Sequence, residues 1–137
     1  MRRFYWGLAG VFAIAMPALA QEVEPWRETV SGQIEAFRSG DGAGALALAG
    51  ASFQQNFSDS ELFLASITAA GYGPIVESRS HSFGAVTRIS DTQVLQVVRL
   101  VGPDQSLYEA VYQLTDEPEK GWRVQGVVLR KQAGIGV

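Results

Sequence analysis

The hydrophobic pattern of this chain changes its period once, near residue 75. Before that point apolar residues recur every three to four positions, which is the spacing of one face of an α-helix. After that point apolar and polar residues alternate and β-branched types dominate, which is typical of strands. Helices followed by strands predict an α+β fold, with the helices packed on one face of an antiparallel sheet.

Three helices are predicted before the change of period. Trp26, Val30, Ile34 and Phe37 share one face of a helix over 26–38. The segment before the second helix contains glycine and aspartate, which end the first helix and allow a new one to begin.

The second and third predicted helices are identified by their capping residues. Asp41 is predicted to cap an alanine-rich helix over 43–51. The string Ser58-Asp59-Ser60-Glu61 has the capping-box pattern, in which a serine hydroxyl and a glutamate carboxylate accept from backbone N–H groups. It predicts a helix over 59–70, which Gly71-Tyr72-Gly73-Pro74 ends.

Four strands are predicted after the change, over 75–88, 93–101, 107–115 and 121–130. Gly84 marks a candidate bulge in the first strand. The connections are short and rich in turn-forming residues, so successive strands are expected to pair as hairpins. The predicted fold is therefore a set of N-terminal helices on a curved antiparallel sheet of about four strands.

The N-terminus has the layout of a secretory signal peptide. Two arginines precede an uncharged apolar run over 4–16, and Ala18-Leu19-Ala20 offers an Ala-x-Ala cleavage site. The run is shorter than the roughly 20 residues that span a bilayer as a helix. Cleavage between Ala20 and Gln21 is therefore favoured over a retained anchor, and export to a bacterial periplasm is expected.

Removal of residues 1–20 leaves one predicted domain over 21–132 and a frayed tail over 133–137. This mature chain keeps all 14 acidic residues and nine of the 11 basic ones, a net charge of −5. Such a charge argues against nucleic acid or an anionic membrane surface as a partner. The chain has no cysteine. Disulfides, thiol catalysis and lipoprotein acylation are therefore excluded.

Four strings in the mature chain carry a resemblance to a known family. They are Gln33-Ile34-Glu35-Ala36-Phe37, Phe63 through Gly71-Tyr72-Gly73-Pro74, Leu100-Val101-Gly102-Pro103-Asp104, and Gly121-Trp122-Arg123-Val124-Gln125-Gly126-Val127-Val128-Leu129. In order and spacing they resemble the bacterial family known as domain of unknown function 4864. That family's pattern ends in a cysteine where this chain has Val127. If that thiol has a chemical role in relatives, this chain lacks the role; if it is a small buried packing residue, valine replaces it.

The resemblance implies a nuclear-transport-factor-two-like, or cystatin-like, fold. In that fold helices close a strongly bent sheet into a cone, whose mouth forms a pocket. The fold hosts isomerases, dehydratases and hydrolases as well as non-catalytic binding modules. The fold alone therefore does not indicate which of these functions the chain has. The function has to be inferred from the residues of the pocket.

His81 is the only histidine and the leading candidate for acid–base chemistry. On the first predicted strand it shares a face with Glu77 and Arg79. If that face lined the cone, Glu77 and His81 would act as base and acid, and Arg79 would stabilise an anion. The favoured alternative is a solvated outer face on which opposite charges pair across strands.

Further pocket candidates lie in the strands and in the turn after the third helix. Tyr112 offers a phenol that donates to a bound carbonyl, although a buried tyrosine more often bonds to backbone. Gly126 leaves room for close approach of a ligand, although a bend in a curved sheet is the commoner reason for such a glycine. The full set of pocket candidates is Tyr72, Arg79, His81, Tyr112, Trp122 and Gly126.

No metal and no cofactor are expected. A zinc site would need carboxylates for nearly all of its ligands, because the chain has one histidine and no cysteine. Asp116-Glu117-Pro118-Glu119 lacks the ligand spacing of a calcium loop and is predicted to be a hairpin tip. The glycine-rich segment over 40–44 precedes every predicted strand, so it does not fit a dinucleotide motif.

Two functions fit these observations. The first is a non-catalytic periplasmic module that binds a small ligand or a partner protein through the concave face of its sheet. The alternative is a lyase, isomerase or hydrolase that uses His81 with a carboxylate such as Glu77, and Tyr112 as hydrogen-bond donor. Few ionisable residues fall at inward strand positions, which favours the first function. A homodimer through the open sheet face is expected by analogy with the fold class.

Overall fold

The computed structural model describes residues 24–132, in which helices precede strands. The elements are α1 (Trp26–Arg38), α2 (Gly42–Ala47), α3 (Ala51–Asn56), α4 (Ser60–Ile67), a π-helical turn (Thr68–Tyr72), α5 (Gly73–Val76), β1 (Ser80–Ser90), β2 (Gln93–Val101), β3 (Leu107–Glu117) and β4 (Gly121–Lys131). The predicted α+β class is confirmed. The predicted signal peptide, its cleavage site at Ala20 and Gln21, and the tail over 133–137 lie outside the described residues. Within residues 24–132, no helix has the length and apolar character needed to cross a membrane.

The strands form one antiparallel sheet in the order β1-β2-β3-β4, as the short connections predicted. Residues that lie directly opposite each other in such a sheet share a face. The register pairs Gln96 with Tyr112 and Tyr112 with Val127. This row lies on the concave face of the sheet, toward the helices, where Gln96 and Tyr112 are fully buried.

Bulges bend the sheet over the helices. The pairing of β1 with β2 shifts between Phe83 and Val86, which confirms the bulge predicted at Gly84. In β4, Gly126 pairs with Gln113 and Val124 with the next residue of β3, so Gln125 is an extra residue. Such an insertion reverses the alternation of the strand. Val124 before the bulge and Val127 after it therefore both face inward.

Helix α1 has the predicted bounds, and the four apolar residues that predicted it are all buried in the core. Trp26 also carries a polar contact, because its Nε1 donates to Oε1 of Gln96 over 2.7 Å. Gln96 is fully buried, and its side-chain nitrogen donates to backbone carbonyls, including Gly84 O at 3.1 Å. Helix and sheet are therefore joined by a satisfied buried hydrogen-bond network as well as by apolar packing.

Where one helix over 43–51 is predicted, the structure has α2 over Gly42–Ala47, and a second helix, α3, begins only at Ala51. Asp41 caps the first of them as predicted, since its Oδ1 accepts from the backbone N of Gly44 at 2.9 Å. Helix α2 ends at Ala47 because the next residues pair with β4: Val124 N donates to Leu48 O at 2.9 Å and Gly50 N donates to Val124 O at 2.8 Å. This parallel bridge uses backbone groups that a continuous helix would need. Helix α3 begins directly after it.

The start of α4 corrects the predicted cap. Helix α4 begins at Ser60, so Asp59 and not Ser58 lies at the N-cap. The Asp59 carboxylate accepts from the backbone N–H groups of Glu61 at 2.9 Å and Leu62 at 3.3 Å. The predicted end of this helical segment is correct, because Gly71 adopts a left-handed φ of 104°.

The first strand begins five residues later than the predicted start at 75. Gly73–Val76 form the short helix α5, with Pro74 in its first turn and Ile75 buried in the core. Proline suits the first turn of a helix, because its φ is already helical and the turn leaves its missing N–H unused. Strand β1 begins at Ser80, whereas the other three strands agree with prediction to within two residues.

Candidate ligand-binding cavity

A cavity of about 380 Å³ lies between the concave face of the sheet and the helices. Every helix that precedes the sheet contributes to its wall except α2, and β3 and β4 form its floor. Its lining residues are Gln33, Phe37, Ala49, Phe53, Phe57, Phe63, Ser66, Ile67, Ala70, Tyr72, Ile75, Tyr112, Val124, Gly126 and Val127. Ala70 is exposed, so the cavity reaches the surface near the π-helical turn.

Four phenylalanines form most of the helical wall. Phe63 of α4 is buried at their centre, and its ring lies 6.0 Å from that of Phe37, 5.9 Å from that of Phe53 and 5.3 Å from that of Phe57. These separations are in the range of favourable stacked and edge-to-face aromatic pairs. The wall is therefore an ordered aromatic surface contributed by α1, α3 and α4.

Helix α3 covers one side of the cavity without a fully buried residue of its own. Its N-terminus is held by Glu117, whose Oε2 accepts from Ala51 N at 3.0 Å and from Gln125 Nε2 at 2.9 Å. The hydrogen bond from Gln125, together with that from Ala51, lowers the pKa of Glu117 from its ordinary value. The side chain of Gln54 adds hydrogen bonds to the carbonyls of Leu46 and Ala49. Polar contacts therefore hold this helix in place together with the packing of Phe53 on Phe63.

Two of the polar side chains in the lining already donate hydrogen bonds to backbone carbonyls. The Tyr72 hydroxyl donates to Val127 O at 2.7 Å, and Gln33 Nε2 donates to Ala45 O at 3.0 Å. The Tyr72 bond ties the turn after α4 to β4 across the cavity. The hydrogen bonds of these two donors therefore stabilise the fold.

Tyr112 differs from these residues, because its hydroxyl has no hydrogen-bond partner among residues 24–132. The side chain is fully buried on β3 and lines the cavity. Burial raises the pKa of Tyr112 well above its ordinary value of 10.0, so the phenol stays protonated in neutral solution. Tyr112 is thus a lining residue whose neutral hydroxyl is itself buried and has an unused donor.

The charged candidates lie away from the cavity. His81 is half-buried at the junction of α1 and β1, where its Nε2 lies 2.9 Å from Ser31 Oγ and its ring lies edge-on to that of Phe83. Burial lowers the pKa of His81 from its ordinary value of 6.5, while the Glu35 carboxylate partly opposes this effect and Arg38 adds to it. His81 is not among the residues that line the cavity.

Glu77 and Arg79 precede β1 and are exposed, so the predicted alternation with His81 on one strand face does not exist. They border a separate surface depression with Arg38. Trp122 packs edge-on against Trp26 with ring centroids 5.2 Å apart, also outside the cavity lining. Of the six pocket candidates, the structure brings Tyr72, Tyr112 and Gly126 together.

The sequence reasoning missed the aromatic part of the wall. Phe53 and Phe57 are four residues apart, a spacing that places two side chains on one helical face. No helix is predicted between the second and third predicted helices, whereas the structure has α3 over Ala51–Asn56. Val127 was also missed, because the bulge at Gln125 reverses the alternation of β4.

Comparison with known proteins agrees with this architecture. The model of the family described as Domain of unknown function (DUF4864) matches residues 19–137. The chain belongs to the DUF4864 family. It is also similar to a solved structure, a domain of unknown function with a cystatin-like fold from Nostoc punctiforme, with a TM-score of 0.53 and 16% sequence identity over 81% of this chain and 77% of that chain. No curated protein matches the chain. The family and the cystatin-like fold that the sequence resemblance implied are thereby confirmed.

The outer face of this DUF4864 domain carries both apolar and charged rows. Val97 pairs with Val111 and Val111 with Val128, which is 58% exposed. The adjacent row pairs Arg99 with Glu109 across the same strands. The homodimer expected through this face stays a prediction.

Proposed function

We propose that this DUF4864 protein is an exported, periplasmic, non-catalytic module that binds a small, largely apolar ligand in the cavity between its helices and the concave face of its sheet. The cavity of about 380 Å³ carries the proposal. Sites for small molecules have volumes of about 300 to 1,000 Å³ and combine apolar walls with a few placed polar groups. The phenylalanine wall and the Tyr112 hydroxyl provide that combination.

Core packing alone is a poor explanation for this space. Protein interiors are packed as densely as organic crystals, and voids larger than a water molecule are few. Because the cavity opens to the surface, its apolar walls stay in contact with water, which is unfavourable. A ligand that fills the cavity would remove this apolar surface from water and would stabilise the folded state.

The lack of charged side chains in the cavity lining supports binding over catalysis. Among the described residues, those that line the cavity include no aspartate, glutamate, histidine, lysine or arginine. General acid–base catalysis works best with a group whose pKa lies near the operating pH, and burial holds the pKa of Tyr112 in the lining far above neutral. His81 contacts Ser31 elsewhere, and Glu77 is exposed. The enzymatic alternative through His81 therefore has no support from the geometry of the site.

Native mass spectrometry of the protein purified from the periplasm tests the proposal. The expected spectrum contains a population with a small molecule bound non-covalently. Ala70 lines the cavity at its exposed rim, so A70W is expected to abolish this population by filling the entrance. The neighbouring Ala69 is exposed and does not line the cavity, so A69W is the matched control and should retain the bound population.

Two results would contradict the proposal. A ligand population that is equally abundant in wild type and A70W would place the small molecule outside the cavity. A protein mass that still includes residues 1–20 would contradict export with cleavage after Ala20.

A further inference from the structure

Among the polar side chains that line the cavity in the described part of the chain, Tyr112 is the one with a buried, unpaired group, whereas Ser66 is only partly buried. Tyr72 and Gln33 donate to backbone carbonyls, whereas the Tyr112 hydroxyl has no partner among residues 24–132. Buried polar groups in folded proteins are nearly always hydrogen-bonded, and an exception calls for an explanation. Because the phenol is protonated, the group that satisfies it most directly is an acceptor oxygen.

The same wall is unsuited to a charged ligand. No charged side chain is among the described residues that line the cavity, and its helical wall consists largely of phenylalanine rings. A carboxylate or an ammonium group that entered would lose its hydration without gaining a counter-charge. A neutral oxygen loses much less hydration free energy, and one hydrogen bond compensates for that loss.

The volume gives the size of the ligand. A dry apolar cavity of about 150 Å³ holds one benzene molecule. The observed cavity of about 380 Å³ is roughly two and a half times larger, enough for two linked or fused rings. Offset and edge-on contacts with Phe53, Phe57 and Phe63 favour flat, aromatic or polycyclic molecules over long flexible chains.

We infer that the ligand is an uncharged molecule of about two rings that carries one acceptor oxygen, and that the Tyr112 hydroxyl binds this oxygen. The inference rests on the proposed function and specifies the ligand class for the same site. Tyr112 is then the residue that distinguishes a ketone-like or ether-like ligand from a plain hydrocarbon of the same shape.

Three probes of similar shape test the inference. Diphenylmethane lacks an oxygen, benzophenone has a ketone oxygen, and diphenylacetate carries a carboxylate. Their dissociation constants are measured by NMR titration of the mature wild-type protein, of Y112F and of Y108F. Tyr108 lies on the same strand outside the cavity lining, so Y108F is the matched control for the same chemical change.

Wild type and Y108F are expected to bind benzophenone about tenfold more tightly than diphenylmethane, the effect of one good hydrogen bond. In Y112F this preference should disappear, while the affinity for diphenylmethane should stay the same. Diphenylacetate should bind at least about 100-fold more weakly than benzophenone, because its charge has no partner in the cavity.

The possible failures are distinct. Equal affinity of wild type for benzophenone and diphenylmethane, or an unchanged preference in Y112F, would overturn the role of Tyr112 and leave the cavity as a binding site. Tighter binding of diphenylacetate would overturn the inference of an uncharged ligand. If none of the three probes binds the wild-type protein up to its solubility limit, the proposed function fails and the inference fails with it.

Discussion

The most informative single residue is Tyr112, because its environment opposes stability. Its ring packs in the core, while its hydroxyl is buried without a partner among residues 24–132. Burial of an unpaired polar group costs about 1 to 3 kcal/mol of folding free energy. A residue that lowers stability in this way is typical of a functional site, where activity and stability compete.

At this scale, replacing Tyr112 or Tyr72 with phenylalanine should change the free energy of unfolding in opposite directions. In the ligand-free protein, Y112F removes an unpaired hydroxyl and is expected to raise the free energy of unfolding by about 1 kcal/mol. Y72F removes the donor to Val127 O and is expected to lower it by a similar amount, about 1 kcal/mol. Urea unfolding of the two variants and the wild type measures both changes. A decrease in stability for Y112F would mean that its hydroxyl already has a partner.

At the scale of elements, the start of α3 is held by one side chain from the sheet, Glu117. The carboxylate of Glu117 accepts from the backbone at the start of α3 and from Gln125 of the adjacent strand. A negative charge near a helix N-terminus is favourable, because the unpaired N–H groups there carry partial positive charge. Helix α3 carries Phe53, so this contact also holds part of the cavity wall.

This contact predicts an acid sensitivity. The pKa of Glu117 is lower in the folded protein than its ordinary value of 4.5, so its contribution is complete above that pH. The contribution is lost as the pH falls through the lower, folded-state pKa. E117Q should therefore be less stable than wild type at neutral pH, and the two proteins should converge in acid.

Chemical unfolding at several pH values below and above 4.5 checks this convergence. E119Q is the control, since Glu119 is exposed at the tip of the same hairpin. A constant difference between E117Q and wild type at every pH would exclude a role for the charge of Glu117.

At the scale of the whole molecule, His81 and Ser31 join the helical layer to the edge of the sheet. Their side chains lie 2.9 Å apart although 50 residues separate them in sequence. Burial lowers the pKa of His81 from 6.5, so the fold favours the neutral imidazole. The associated stability is present above pH 6.5 and declines as the pH falls through the folded-state pKa.

H81Q should remove this decline. Between about pH 7.5 and about pH 5, the stability of H81Q is expected to change less with pH than that of wild type. S31A removes the hydroxyl but keeps the titrating ring, so it should retain most of the wild-type slope. Thermal unfolding across this range measures the slopes, and identical slopes for H81Q and wild type would contradict the assignment.

Prediction from sequence succeeded where one local pattern specified the structure. Helix α1 has the predicted bounds because four apolar residues at helical spacing all enter the core. Strand β2 also has the predicted bounds, 93–101, because its buried residues alternate without interruption. Asp41 caps α2 as predicted, since this hydrogen bond reaches only three residues along the chain.

The candidate site was predicted less completely, because its residues come from distant parts of the chain. Tyr72, Tyr112 and Gly126 were proposed and line the cavity, whereas His81, Arg79 and Trp122 were proposed and lie elsewhere. The predicted strand position of Arg79 is wrong because Ile75 suits either a strand or a helix. Ile75 is buried within α5, so β1 begins only at Ser80 and Arg79 lies before it.

The sequence by itself determined the order of helices and strands, the antiparallel meander and the absence of disulfides, because periodicity, short connections and composition are local properties. The tertiary structure alone decided where α2 ends, which residues of β4 face inward and that the Tyr112 hydroxyl is unpaired. Each of these depends on contacts between residues far apart in sequence, such as Ala49 with Val124. Such contacts exist only when the helices have packed on the sheet, and no local pattern encodes which backbone or side-chain group will find a partner there.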